Sequence, residues 1–230
     1  MPDPRTAPGG RTDHDANLVV FVAGTGTEVG KTWVSAGLAR LLRERGLSVE
    51  ACKPVQSYDP DEVGPTDAEA LAAATGQHAD AVCPPDYTYP VPLAPPMAAR
   101  KLGRVCPTLD ELAASCRFAA TVDVGLVEGV GGLYSPLASD GHNLDLIERM
   151  GPDLVIVVAS AALGGIHDTV ACTRPLSAYR QAVFLNRFDT RTEVHVLNLA
   201  WLGDTDLVVT TGLSELADVV FPPGPSRSGA

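Results

Sequence analysis

The residues best suited to chemistry in this chain close a glycine-rich turn, Gly24-Thr25-Gly26-Thr27-Glu28-Val29-Gly30-Lys31-Thr32. Glycines let backbone amides turn towards a phosphate, and the start of a helix adds partial positive charge. Lys31 can reach terminal phosphates, and the Thr32 hydroxyl can hold Mg²⁺. Five residues separate Gly24 from Gly30, where the common phosphate loop has four, so this loop is a variant. Three more groups could join it. Lys53 and Ser57 follow an apolar run, at the strand end where open α/β sheets bind ligands. Glu128 ends another apolar run, as does the acid that holds Mg²⁺ in phosphate-loop proteins. Asp67 stands at a helix start. Each has a plainer reading: a solvated lysine at a strand end, a surface carboxylate at a turn, a first-turn acid complementing the helix dipole.

The elements that position these groups alternate. Leu18–Ala23 reads as a strand buried on both faces, and a helix follows from Lys31 to Arg45, stopped by Gly46. Leu47–Cys52 is the second strand. Thr66 and Thr108 open capping boxes, starting helices that run to Thr75 and to about Ala120. Pro90, Pro92, Pro95 and Pro96 make 87–96 a stiffened loop of the kind that binds or covers ligands. Val122–Glu128 and Leu154–Ala159 are core strands, with a short helix, Asn143–Met150, between them. A helix after Gly165 should end by Arg174, before Pro175. Val183–Leu185, Val194–Leu199 and Leu207–Thr210 read as later strands, and Ser214 caps a last helix to Val220. The expected fold is α/β: one domain with a doubly wound, mostly parallel sheet and helices on both faces, of phosphate-loop NTPase type.

Composition narrows the partners. The chain of 230 residues is 45% hydrophobic and 20% charged, enough for one buried core and short for two domains. The domain should cover 17–221, with disordered tails at 1–16 and 222–230. The formal charge of −11 argues against nucleic acid or an anionic membrane. No apolar run approaches the roughly 18 residues of a membrane span. Five scattered cysteines with no close pair suggest reduced thiols and a cytoplasmic location.

Taken together, the motifs resemble the dethiobiotin synthase family. The match rests on the phosphate loop with its extra residue, Lys53-Pro-Val-x-Ser57, Thr66-Asp67, the Tyr/Pro-rich stretch Tyr87–Pro96, Val127-Glu128-Gly-x-Gly-Gly132 and Leu185-Asn186-Arg187. The resemblance runs from about Leu18 to Leu202. It implies ATP- and Mg²⁺-dependent carboxylation of 7,8-diaminononanoate with CO₂ or bicarbonate, followed by ring closure through a carbamic–phosphoric anhydride. Lys31, Lys53 and Thr27 would be catalytic. Gly26, Glu28, Val29, Gly30, Lys31 and Thr32 would bind the phosphates, and Asn186 the adenine. Thr27, Lys53, Ser57, Gly131 and Gly132 would bind substrate, and Thr32, Asp67 and Glu128 the metal. The resemblance also implies a homodimer. The family pattern Gly-x-x-Asn-His-Thr, whose backbone binds the substrate carboxylate across the dimer, reads here Gly164-Gly165-Ile166-His167-Asp168-Thr169. The chain after Asn186 is also shorter than the family's. A related ligase acting on another diamine or amino acid is the alternative these departures raise. Partition-type regulatory ATPases carry an early loop lysine absent here, and a scaffold role would not need Lys31, Thr32, Lys53, Asp67 and Glu128 together. Cobyrinate-type amidotransferases share the loop but need a glutaminase domain.

Overall fold

The computed structural model describes residues 16–222. The expected tails lie outside the described residues apart from Ala16 and Pro222. Six parallel strands form the central sheet. In chain order the strands and helices begin with β1 (Leu18–Gly24), α1 (Lys31–Glu44), β2 (Val49–Cys52) and β3 (Gln56–Ser57). Next come α2 (Asp67–Thr75), α3 (Ala79–Val82), β4 (Thr88–Tyr89), α4 (Pro95–Lys101) and α5 (Leu109–Ser115). Then β5 (Val124–Glu128), β6 (Pro136–Ala138), β7 (Gly141–His142), α6 (Asn143–Met150) and β8 (Leu154–Ser160) follow. The chain closes with α7 (Gly165–Thr173), β9 (Gln181–Asn186), α8 (Glu193–Gly203), β10 (Val208–Thr210) and α9 (Leu213–Val220).

The sheet order is β10-β9-β8-β1-β5-β2, which puts β1 inside and its phosphate loop between the ends of β5 and β8. Period-two alternation along β1 feeds two cores. Val20 and Val22 pack with α1, α2 and α9 on one face. Val19, Phe21 and Ala23 pack with α4, α5 and α6 on the other. At the free edge of β2, the Gln77 amide replaces a neighbouring strand: Ala51 N donates to its Oε1 at 2.7 Å, and its Nε2 donates to Ala51 O at 3.3 Å. An edge closed this way offers no template at that position for a second chain.

Both capping boxes form as the sequence indicates, at Thr66/Glu69 and Thr108/Glu111. Five expectations need correction. Val194–Leu199 is not a strand but lies inside helix α8. Its apolar run carries too little periodicity to separate a helix from a buried strand. The Tyr/Pro stretch is not all loop, because Thr88–Tyr89 pairs with Gln56–Ser57 and Pro95 opens α4. Proline is tolerated in a helix's first turn, where the missing N–H has no partner anyway. Helix α5 stops at Ser115, short of Ala120, so that Phe118 can turn into the core. The last helix is capped by Gly212, with Ser214 inside it. Finally, Cys52 at the end of β2 and Cys116 after α5 are bonded across 64 residues, while Cys83, Cys106 and Cys172 stay free. Only the fold brings that pair to a Cα–Cα distance of 5.6 Å.

Gly125 in β5 tests this packing. A Cβ there would sit 2.3 Å from the Phe118 ring, which is buried beneath it. Gly125→Ala should therefore lower unfolding free energy by about 1–3 kcal/mol in urea melts. Phe118→Leu added to it should recover part of the loss, because the clash is with the ring edge.

Candidate active site

The candidate residues converge at the carboxyl ends of β1, β2, β5 and β9, where open α/β sheets bind ligands. The phosphate loop leaves β1 at Gly24 and enters α1 at Lys31. Gly30 is left-handed, with φ of 95°, and a Cβ on it would lie 2.0 Å from Asn186 Nδ2. Glu28, a non-glycine, also has positive φ, at 59°. The end of β9 holds this loop from outside. Asn186 Nδ2 donates to Val29 O at 2.8 Å, and Arg187 Nη2 donates to Glu28 O at 3.1 Å. The Asn186 Oδ1 accepts from Arg187 N at 2.9 Å. An amide keeps one N–H and one lone pair after such bonds, which suffices to read a base edge.

Three of the expected residues meet at one point. The Thr32 hydroxyl lies 2.7 Å from Asp67 Oδ1 and 2.8 Å from Glu128 Oε1. Its single proton serves one carboxylate at a time. The buried Lys53 ammonium stands 2.7 Å from both Asp67 Oδ2 and Glu128 Oε1, and donates to Gly129 O at 3.1 Å. Its three donors are thereby used. Burial alone would lower the Lys53 pKa, but Glu128 and Asp67 outweigh it and hold it above its ordinary value. Lys53 in turn drives Asp67 down to about 2. Lys31 behaves oppositely. Burial, helped by the Lys53 charge, lowers it to about 8. Its ammonium donates to Gly26 O at 3.0 Å and Gly131 O at 2.9 Å.

The same geometry tests a metal. Glu128 Oε2 is buried without a hydrogen-bond partner, beside the Thr32 hydroxyl and the Asp67 carboxylate. A hydroxyl and two carboxylates are hard oxygen ligands, so this set fits Mg²⁺ completed by phosphate oxygens and water.

The remaining expected residues frame this centre. Thr27 lies against the loop after β5, its Oγ1 3.5 Å from where a Cβ of Gly131 would stand. A Cβ on Gly132 would meet Thr25 O at 3.1 Å, so that loop packs directly on the phosphate loop. Ser57 sits in β3, and no hydrogen bond ties its side chain to the Lys53 cluster among the described residues. Its neighbour Gln56 makes the link instead, accepting from Ala68 N in the first turn of α2 at 3.0 Å. Gln56 and Asn143, at the start of α6, carry structural bonds in this centre that sequence reasoning passed over. Only the opening position of Asn143 on a helix marked it, and that signal reads first as a cap.

Comparison with known proteins gives the family. A family model described as an AAA domain matches residues 19–184. An ATP-dependent dethiobiotin synthetase from Phenylobacterium zucineum is 41% identical over 165 residues, 68% of this chain and 69% of that protein. One from Caulobacter vibrioides is 40% identical over 145 residues, 61% and 66% of the two chains. The chain belongs to the dethiobiotin synthetase family. It spans about two thirds of the length of these relatives. Solved structures similar at low identity include the signal recognition particle receptor FtsY from Elizabethkingia anophelis. Its TM-score is 0.51 at 16% identity, covering 93% of this chain and 68% of that one. That likeness reports the phosphate-loop α/β fold alone. The AAA-domain match ends two residues before Asn186.

The two lysines should titrate far apart. With labelled lysine side chains followed by NMR, Lys31 should lose its proton near pH 8 in the free protein. Lys53 should stay charged through pH 10, held by its two carboxylates. A triphosphate placed against Lys31 favours its charged form, so its midpoint should rise and binding should take up a proton above pH 8. A Lys31 midpoint at the ordinary 10.5, unmoved by triphosphate, would contradict the buried placement.

Proposed function

We propose that this chain is an ATP-dependent cyclo-ligase that forms dethiobiotin from 7,8-diaminononanoate and CO₂, in biotin biosynthesis. The observation that carries the reading is the single centre formed by Lys31, Thr32, Lys53, Asp67 and Glu128 in a member of the dethiobiotin synthetase family. One amine of the substrate adds CO₂ and loses a proton, giving a carbamate. A carbamate oxygen attacks the γ-phosphorus of ATP, ADP leaves, and a carbamic–phosphoric anhydride forms. The second amine attacks the carbamoyl carbon, phosphate leaves with the C–O bonding pair, and the five-membered urea closes with loss of a proton.

Such a transfer needs positioning and charge neutralisation more than covalent help. The Lys31 ammonium binds the transferring phosphoryl group, with the Gly26, Glu28, Val29, Gly30 and Thr32 backbone around the phosphate chain. Lys53, held protonated by its carboxylates, lends its positive charge to stabilise the oxygen shared between carbamate and phosphorus. Mg²⁺, when bound by Thr32, Asp67 and Glu128, supplies charge neutralisation for the phosphates. Thr27, Ser57 and the Gly131–Gly132 backbone orient the carbamate and its nitrogen. Asn186 reads the adenine edge with its remaining donor and acceptor. We place the enzyme in the cytoplasm as a homodimer, with the start of α7 receiving the substrate carboxylate. Its partners are the diamine, CO₂ or bicarbonate and ATP; no nucleic acid or membrane is required. No helix among the described residues is long and apolar enough to cross a membrane.

A second reading rests on Asp168, which lies in the first turn of α7. A negative charge there disfavours a carboxylate tail, so a diamine or amino acid with a different end is the alternative substrate.

Bicarbonate-dependent phosphate release from Mg·ATP with 7,8-diaminononanoate tests both. Wild type should release phosphate and form the cyclic urea, and Lys53→Ala should lose on the order of 10²–10³-fold in kcat. Because that change leaves two carboxylates facing each other, its folding is checked by thermal melting alongside Thr32→Val, which keeps Lys53. Turnover only with another amine would move the assignment to the alternative. No triphosphate-dependent turnover with any amine would sink both readings.

A further inference from the structure

The segment 129–135, between β5 and β6, carries no charged side chain, yet it touches both lysines. Its carbonyls alternate in direction. Gly129 O accepts from Lys53 Nζ at 3.1 Å, and Gly131 O accepts from Lys31 Nζ at 2.9 Å. The carbonyls of Val130 and Gly132 turn the other way, and both accept from Asn143 Nδ2, at 2.7 and 2.8 Å. The same nitrogen lies 3.3 Å from Ser135 O, and Asn143 Oδ1 accepts from Val130 N at 3.0 Å. Asn143 is 2% exposed. Its amide has two donors and an acceptor oxygen, and every one of these functions is spent on this loop.

The loop's glycines fit that arrangement. A Cβ on Gly129 would lie 2.3 Å from Asn143 Oδ1, so the backbone can approach the amide only as glycine. Gly131 has φ of 56°, the left-handed turn that sends its carbonyl to Lys31 between two carbonyls facing Asn143. With the donors removed, Val130 O and Gly132 O would be partly buried acceptors facing an apolar or anionic side chain, and rotating the peptides towards water is the direct relief. Rotation would take Gly129 O and Gly131 O off the lysines.

We propose that Asn143 is a positioning residue of the active centre: by gripping alternate carbonyls of the 129–135 loop, it aims Gly129 O at Lys53 and Gly131 O at Lys31 and sets the backbone that meets the carbamate. This rests on the ligase reading given above. Asn143 itself touches neither lysine; it acts through the loop.

Two variants test it. Asn143→Asp keeps the shape and removes the donors, and Asn143→Leu removes all polarity without adding charge. Both should lose about 10²-fold in kcat for bicarbonate-dependent phosphate release and raise the diamine KM about tenfold, as expected for a shift near 1 Å in reacting groups. The Kd for ATP measured without amine should change less than threefold, because the phosphate loop's own amides are untouched. The control is Asp153→Ala, which removes the Val19 N bond at the opposite end of the sheet and destabilises without reaching the site. At a matched loss of Tm it should keep wild-type kcat. An Asn143 variant with unchanged kcat, or with a loss no larger than this control, would overturn the proposal. If wild type itself lacks bicarbonate-dependent turnover, the ligase reading has failed, and the placement is judged by NMR alone. There Asn143→Leu should shift the side-chain resonances of both Lys31 and Lys53, read at one pH where both are charged, because Gly131 O and Gly129 O leave their ammonium groups; unmoved resonances overturn it.

Discussion

The Lys53 ammonium between Asp67 and Glu128 is the constraint on which the rest of the site depends. A buried charge is tolerated only when it is paired and hydrogen-bonded. Lys53 meets that condition with two carboxylates, each 2.7 Å away, and one backbone carbonyl. The carboxylates come from different elements. Asp67 opens α2 behind a capping box, and Glu128 ends β5. Losing either would leave a cation short of a partner at the end of β2. The ion pairs therefore register α2 and two strands against one another, and the register is the one that puts Thr32 between the same carboxylates.

Charge is distributed unevenly across this centre, and the distribution suits phosphate chemistry. Two lysines share the centre with two acids, but only Lys53 contacts them directly. Lys31 sits on carbonyls, and burial lowers it to about 8. Of the two ammonium groups, the Lys31 charge is thus the less stable. Backbone strain at Glu28 is held by Arg187, itself at positive φ of 56°, and by Asn186. A loop braced from the far strand keeps its amides aimed without a ligand, which is what preorganisation means physically.

The departures from the family pattern lie at the start of α7 and after β9, away from the cluster around Lys53. Asp168 lies in the first turn of α7, and the shortened stretch after Asn186 contains α8. Trp201 and Leu197 on α8 are half exposed or more. These are the places where sequence can change without disturbing the charge balance around Lys53.

By itself the sequence determined what local chemistry can encode. The phosphate loop, both capping boxes, the buried strands and the helix Asn143–Met150 were legible because each is written in neighbouring residues: glycines before a lysine, a threonine three residues before a glutamate, a continuous apolar run. The expected site residues were legible as types at strand ends and helix starts. Tertiary structure alone decided the rest. It made α8 a helix where an evenly apolar run has no period to read. It joined Cys52 to Cys116 across 64 residues, and it chose Gln56, not Ser57, to tie β3 to α2. It also turned Asn143 from a helix-opening residue into the grip on a loop 11 to 13 residues before it. Those outcomes depend on which distant groups are left buried and unpaired once the sheet closes, and no window of neighbouring residues contains that information.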